Sequence, residues 1–207
     1  AFPPSASTPP AGFDFGPPQG NLREGLDPFP STGRYLAYSI GLTSEALLAP
    51  GNVCPREARE RCLLGGGAGI LMAGSFREPV HEFGVAYEVS FHDSNNIYQR
   101  GVLQQLRGEW RAHPRTMQIA DGVTGFVGAG AGLVGYGDNW GVATYGAAGH
   151  AELGAEIDLG IKVSVLVSAA YRALYFRAFT DASQQYRPAG LAHVLGLQLA
   201  FSLREPL

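Results

Sequence analysis

Lysine is almost missing from this chain of 207 residues: of 15 Lys and Arg together only Lys162 is lysine, which leaves 14 arginines. Soluble domains spread lysine over their water-facing surface, so the scarcity points to little such surface. GC-rich codon usage is a second source of the same bias. No run approaches the ~20 apolar residues of a membrane helix, which excludes a helical span. No charged segment followed by an apolar core opens the sequence, so Ala1 is expected to begin an exported, processed chain. Net charge is −3 and no block of Lys or Arg occurs, which argues against a nucleic-acid partner. The Gly-rich runs GGGAG at 65–69 and GAGAG at 128–132 precede no helix and lack a phosphate-loop lysine, so close strand packing is their reading and no cofactor is expected.

What the sequence has is period-two alternation. The 29 glycines, 9 tyrosines and 11 phenylalanines fall largely into segments whose two faces can be read separately. In IKVSVLVSAAYRALY at 161–175, Ile161, Val163, Val165, Val167, Ala169, Tyr171, Ala173 and Tyr175 share one side. Lys162, Ser164, Leu166, Ser168, Ala170, Arg172 and Leu174 share the other. A strand of this length crosses a bilayer at barrel tilt, which needs only about 9–11 residues in the hydrocarbon. Seven more strands are expected at about 34–43, 66–76, 81–92, 98–112, 125–137, 140–157 and 190–203. Eight is an even number, compatible with closure. The segment 113–124 is ambiguous, and the Gly/Ala-rich strand at 125–137 does not declare its facing.

Residues 1–32 carry eight prolines with Phe13, Phe15 and Phe29 among them. Proline removes backbone donors and fixes φ, so this is an extended arm or linker, whose phenylalanines are candidates for docking a partner. The expected organisation is the arm at 1–32, a barrel at 33–203 and a tail at 204–207.

A soluble barrel with apolar faces inward is the structural rival. It would expose Ala192, Val194, Gly196, Gln198, Ala200 and Ser202 to water without a single charge, so the membrane orientation is preferred: all-β, an eight-stranded antiparallel up-and-down transmembrane β-barrel. The longest connections, 44–65 and 176–189, fall in the same odd-numbered set, while the even set runs 77–80, 113–124 and 158–160. Long loops outside and short turns inside put both termini in the periplasm.

On strand count, alternation, loop asymmetry and a closing aromatic strand, residues 33–203 resemble the small outer-membrane barrels of OmpA and OmpX type. The resemblance implies a bacterial outer-membrane protein whose surroundings are lipid and lipopolysaccharide. Members usually end on an aromatic residue; this chain runs on through Arg204, Glu205, Pro206 and Leu207.

The inward set then includes Glu88, Arg107, Glu109, Arg111, Glu152, Glu156, Lys162 and Arg172. Ions unpaired in a narrow lumen are expensive, so a paired network and a plugged barrel are expected, with a narrow ion path as the alternative. Arg100, Arg177 and Arg187 are candidates for lipopolysaccharide phosphates, with solvated loop arginines as the alternative. Tyr35, Tyr38, Trp110, Trp140, Tyr171 and Tyr175 are placed for an interfacial girdle. His92, Ser94 and Asn95 in FHDSNN resemble the His-x-Ser and Asn of lipid A deacylases of PagL type, which would make His92 the base and Ser94 the nucleophile. Against this, His92 points inward and Glu88 lies ~13 Å along the strand. The expected role is structural or interactive, a membrane anchor or assembly subunit working through the arm or loops.

No metal site is expected. Cys54 and Cys62 flank PREARER, without a His or a further Cys at ligand spacing. A disulfide clip, formed in an oxidising compartment, is expected ahead of two free thiols. Thiol titration of the denatured, unreduced protein should find no free thiol; two would remove the clip.

Overall fold

The computed structural model describes residues 34–49, 66–92, 101–138, 141–160, 162–180, 184 and 186–207. The arm with Phe13, Phe15 and Phe29, the Cys54/Cys62 segment, Ser94, Asn95, Arg100 and Trp140 lie outside them. The elements are β1 (Tyr35–Ala49), β2 (Gly67–Arg77), β3 (His81–His92), β4 (Gly101–Ala112), a 3-10 turn Arg115–Met117, β5 (Gln118–Ala120), β6 (Val123–Asp138), β7 (Gly141–Asp158), β8 (Val163–Phe176), β9 (Phe179–Thr180), β10 (Tyr186–Arg187) and β11 (Gly190–Pro206). Eight of them form the wall in the order β4-β3-β2-β1-β11-β8-β7-β6, and β4 pairs with β6 to close it. Every wall pairing is antiparallel. The short β5 pairs with the start of β6, and β9 pairs with β10 as a separate two-stranded ribbon.

Alternation fixes which way each side chain goes. Along β11, Leu195, Leu197, Leu199 and Phe201 face out while Val194, Gln198, Ala200 and Ser202 are buried. In β1, Ile40 and Leu42 face out and Thr43 and Glu45 face in. The exterior is therefore apolar and open, with Ile40 58% and Leu197 59% exposed, while Glu88 inside is 0% exposed. The outward run from Leu191 to Leu203 spans about 30 Å along the barrel axis at ~3.3 Å per residue and 35–45° tilt, enough for the hydrocarbon of a bilayer. The Gly/Ala-rich β6 turns Val127, Ala129 and Leu133 outward and Phe126, Gly128, Val134 and Tyr136 inward.

Those small inward residues are where large ones need room. A Cβ on Gly128 would sit 2.7 Å from the Glu152 carboxylate, and one on Gly67 2.5 Å from the His92 ring. The start of β1, the end of β11, the ends of β2, β4 and β7 and the starts of β3, β6 and β8 lie at one end of the barrel. The ends of β1, β3, β6 and β8 and the starts of β2, β4, β7 and β11 lie at the other.

Several boundaries differ from the sequence reading. The first strand runs on to Ala49, and the last to Pro206, so residues 204–206 belong to the wall rather than to a tail. The ambiguous 113–124 folds back as the 3-10 turn and β5, with Gly122 at φ 74° making the turn into β6. Tyr35, read as girdle, is buried beneath the guanidinium groups of Arg77 and Arg204, at 5.5 and 5.4 Å from its ring centre.

Leu197→Arg, outward at mid-wall, should cost ~2–4 kcal/mol, whereas Leu203→Arg near the rim should cost ~0–1 kcal/mol. Urea unfolding in lipid vesicles reads both; equal costs would contradict a membrane-facing wall.

Candidate functional site

Among the described residues, the ionisable side chains gather in the lumen, delivered by the inward parity of seven wall strands. From β1 comes Glu45; from β2, Arg77; from β3, Glu82, Glu88, Ser90 and His92. Strand β4 gives Arg107, Glu109 and Arg111, with His113 just beyond it; β7 gives Glu152 and Glu156, β8 gives Arg172, and β11 gives Arg204. All of these but Arg77 are buried, and the Arg77 side chain is 12% exposed.

The pairs connect end to end. Glu45 accepts from Ser90 Oγ at 2.7 Å and lies 2.9 Å from His92 Nε2. Arg172 Nη1 donates to Glu45 and, at 2.7 Å, to Glu88. Arg107 joins Glu88 to Glu109, both at 2.7 Å. Arg111 reaches Glu109 at 2.8 Å, Glu82 at 3.1 Å and Glu152 at 2.6 Å. His113 stands 3.1 Å from Glu82 and 3.8 Å from Glu156. Glu156 accepts from Arg77 and, at 2.6 Å, from Arg204, whose guanidinium also holds Asp158 at 2.6 Å at the rim. Every guanidinium has at least two carboxylates within reach, and this is what makes ions tolerable where water is excluded. Between Glu82, Glu109 and Arg111 the interstice has a volume of about 0 Å³ for water.

Above the ionic layers the lumen becomes apolar. Leu103, Val134, Tyr136, Leu174, Phe176, Ala192 and Val194 pack together, and Phe179 of the β9–β10 ribbon joins them from beyond the end of β8. The Tyr136 and Phe176 rings tilt at 58° with centres 6.0 Å apart. This cluster occupies the end of the barrel opposite the termini. Within the ionic layers Phe126 supports Arg111 from 5.5 Å and His113 from 5.3 Å.

Of the residues read as inward from sequence, Glu88, Arg107, Glu109, Arg111, Glu152, Glu156 and Arg172 lie together in this chain of pairs. Lys162 does not: it is exposed in the turn that Gly160, at φ 148°, creates before β8, and only its carbonyl is used, accepting from Arg204 N at 2.8 Å. Glu45, Arg77, His113 and Arg204 lie just past the strand ends expected from sequence, at 43, 76, 112 and 203. Continuing each alternation would have found them. Glu82 had the correct parity and was left out of the network.

His92 is 1% exposed, and the acid beside it is Glu45 rather than Glu88. Ser90 Oγ and Glu45 both approach the same nitrogen, Nε2, at 2.9 Å. A relay needs the acid on one ring nitrogen and the nucleophile on the other, so these three do not form one. Arg187 is buried, 8% exposed, which withdraws it from lipid phosphate. Arg177 is exposed, donates to Tyr145 Oη and stacks 4.8 Å over that ring.

No protein-family model matches the chain, and no curated relative matches it in sequence. Among solved structures, Neisserial surface protein A aligns with a TM-score of 0.57 at 11% identity, covering 83% of this chain and 96% of that one. The outer membrane protein OprG from Pseudomonas aeruginosa aligns at 0.53 and 8%, covering 84% and 96%. The outer membrane protein AlkL aligns at 0.53 and 10%, covering 86% and 93%. The chain has the fold of the small eight-stranded outer-membrane barrels.

Arg172→Met should destabilise the barrel by ~3–5 kcal/mol, because it leaves Glu45 and Glu88 buried without their shared cation. Adding Glu88→Gln should recover part of that loss in the same unfolding assay. Two independent, additive losses would contradict the network.

Proposed function

We propose that this chain is a plugged β-barrel of a bacterial outer membrane with a structural or interactive role, serving as an anchor or as a subunit of a larger assembly. The observation that carries the reading is the inverted distribution of polarity: an apolar, open exterior around an interior filled by paired ions and closed at one end by packed side chains. A soluble protein does not expose so continuous an apolar wall, and a water channel does not fill its bore. The asymmetry of the connections supports termini in the periplasm and the longer loops, with Arg177 at their base, outside against lipopolysaccharide. The arm with Phe13, Phe15 and Phe29 is then available in the periplasm to a protein partner.

A narrow ion path is the second reading. The unbroken succession of ionisable groups from Glu45 to Asp158 favours it, and the apolar cluster around Phe176 opposes it. A PagL-like lipid esterase is disfavoured by the burial of His92, and we read the chain as non-enzymatic.

The mass of the detergent-extracted native particle, for the full chain and for one lacking residues 1–32, tests the interactive role. An assembly lost with the arm supports it; a lone barrel of about 22 kDa in both cases removes it. Planar-bilayer recording should find no steady conductance, and steady single-channel steps would favour the ion path.

A further inference from the structure

Outside the lumen, the wall has one dent at the terminal end. Gly74 of β2 faces outward between Tyr38 of β1 and Val85 of β3, and a Cβ added there would meet nothing within 4 Å. Leu36, Phe76 and Phe83 complete the sides of a groove of about 430 Å³. The groove is apolar, but the rim above it is charged. By the same outward parity Arg34 precedes Leu36 and Glu78 follows Phe76, and the two pair at 3.3 Å with 67% and 40% of their side chains exposed. Glu205 stands opposite Leu36 on β11 and is exposed. His81 stacks on Trp110 at 5.9 Å beside them, the aromatic furnishing of a membrane–water boundary.

We infer that this groove and rim form a binding site for a phospholipid with a phosphoethanolamine headgroup: the acyl chain lies over Gly74, Arg34 takes the phosphate, and Glu78 with Glu205 takes the ammonium. The inference rests on the membrane reading above. Charge complementarity selects the headgroup. One guanidinium beside two carboxylates matches a zwitterion bearing N–H donors. It disfavours an anionic glycerol headgroup, and a trimethylated choline has no N–H to give. The Arg34–Glu78 pair, being exposed, holds its partners weakly and exchanges them at little cost. Aromatic walls and a glycine floor suit a flexible chain.

The test uses the full chain in nanodiscs containing equal parts of ethanolamine, choline and glycerol phospholipids with matched chains. After gentle extraction the lipid retained on the barrel is weighed by native mass spectrometry. The ethanolamine lipid should be retained preferentially. Arg34→Ala and Glu78→Gln should each lower its retention about threefold, as for an exposed charged contact. Gly74→Leu, whose added Cβ meets nothing within 4 Å, should lower it about tenfold, with folding checked by heat-modifiable migration. Equal retention of the three lipids overturns the site, as does wild-type retention by folded Gly74→Leu. A photo-crosslinker at Tyr38 should capture lipid; capture of residues 1–33 would overturn the site by making the arm the occupant. A chain that fails to enter the nanodiscs overturns the membrane reading as well, whereas an inserted barrel without headgroup preference overturns this inference alone.

Discussion

Closure of the backbone is the constraint on which the rest depends. A strand edge left open in hydrocarbon would strand its amides and carbonyls without partners, and here no wall strand has a free edge because β4 meets β6 and β1 meets β11. The β1–β11 seam runs from Tyr35 opposite Pro206 to Ala49 opposite His193, so the two ends of the wall sequence are also its last joint. Once eight strands are closed, the bore is only as wide as the side chains that fill it. Everything placed inside must then satisfy its neighbours in volume and in charge.

The lumen meets both demands with two kinds of filling. Where β3, β4 and β7 bring long charged residues inward, glycines on β2 and β6 give them space, as Gly128 does for Glu152. Where β8 and β11 offer Leu174, Phe176, Ala192 and Val194, the filling is apolar and needs no partners. Six glutamates, Glu45, Glu82, Glu88, Glu109, Glu152 and Glu156, face five arginines, Arg77, Arg107, Arg111, Arg172 and Arg204, with His92 and His113 beside the acids. Of the eight residues expected inside from the sequence, seven belong to this set, and Lys162 is exposed in the turn before β8.

Which parts were legible follows from how locally each is determined. β3, β8 and β11 alternate strongly enough that their two faces could be told apart from single strands. β6 could not, because Gly and Ala are neutral to both faces and only its register against β4 and β7 decides. Glu45 and Arg204 look like loop residues in sequence, since a charge at the end of an apolar strand is also how strands stop. Their partners, Arg172 and Glu156, are brought to them across the barrel by pairing that no local pattern contains. Lys162 failed in the opposite sense: parity put it inside, and a glycine turn moved the start of β8 past it.

The seam between the first and last wall strands also sets the order in which the molecule can come together. Arg204, three residues from the end of the described chain, is a counter-ion for Glu156 and Asp158, and Arg172 on the penultimate long strand bridges Glu45 on the first to Glu88 on the third. Until the final strands arrive, Glu45 on the first hairpin lacks its arginine, whereas Glu82, Glu88 and Glu109 already have Arg111 and Arg107 within the second. Neutralising Glu45 and closing the wall are thus tied together, because β8, which carries Arg172, is paired to the strand that seals β1.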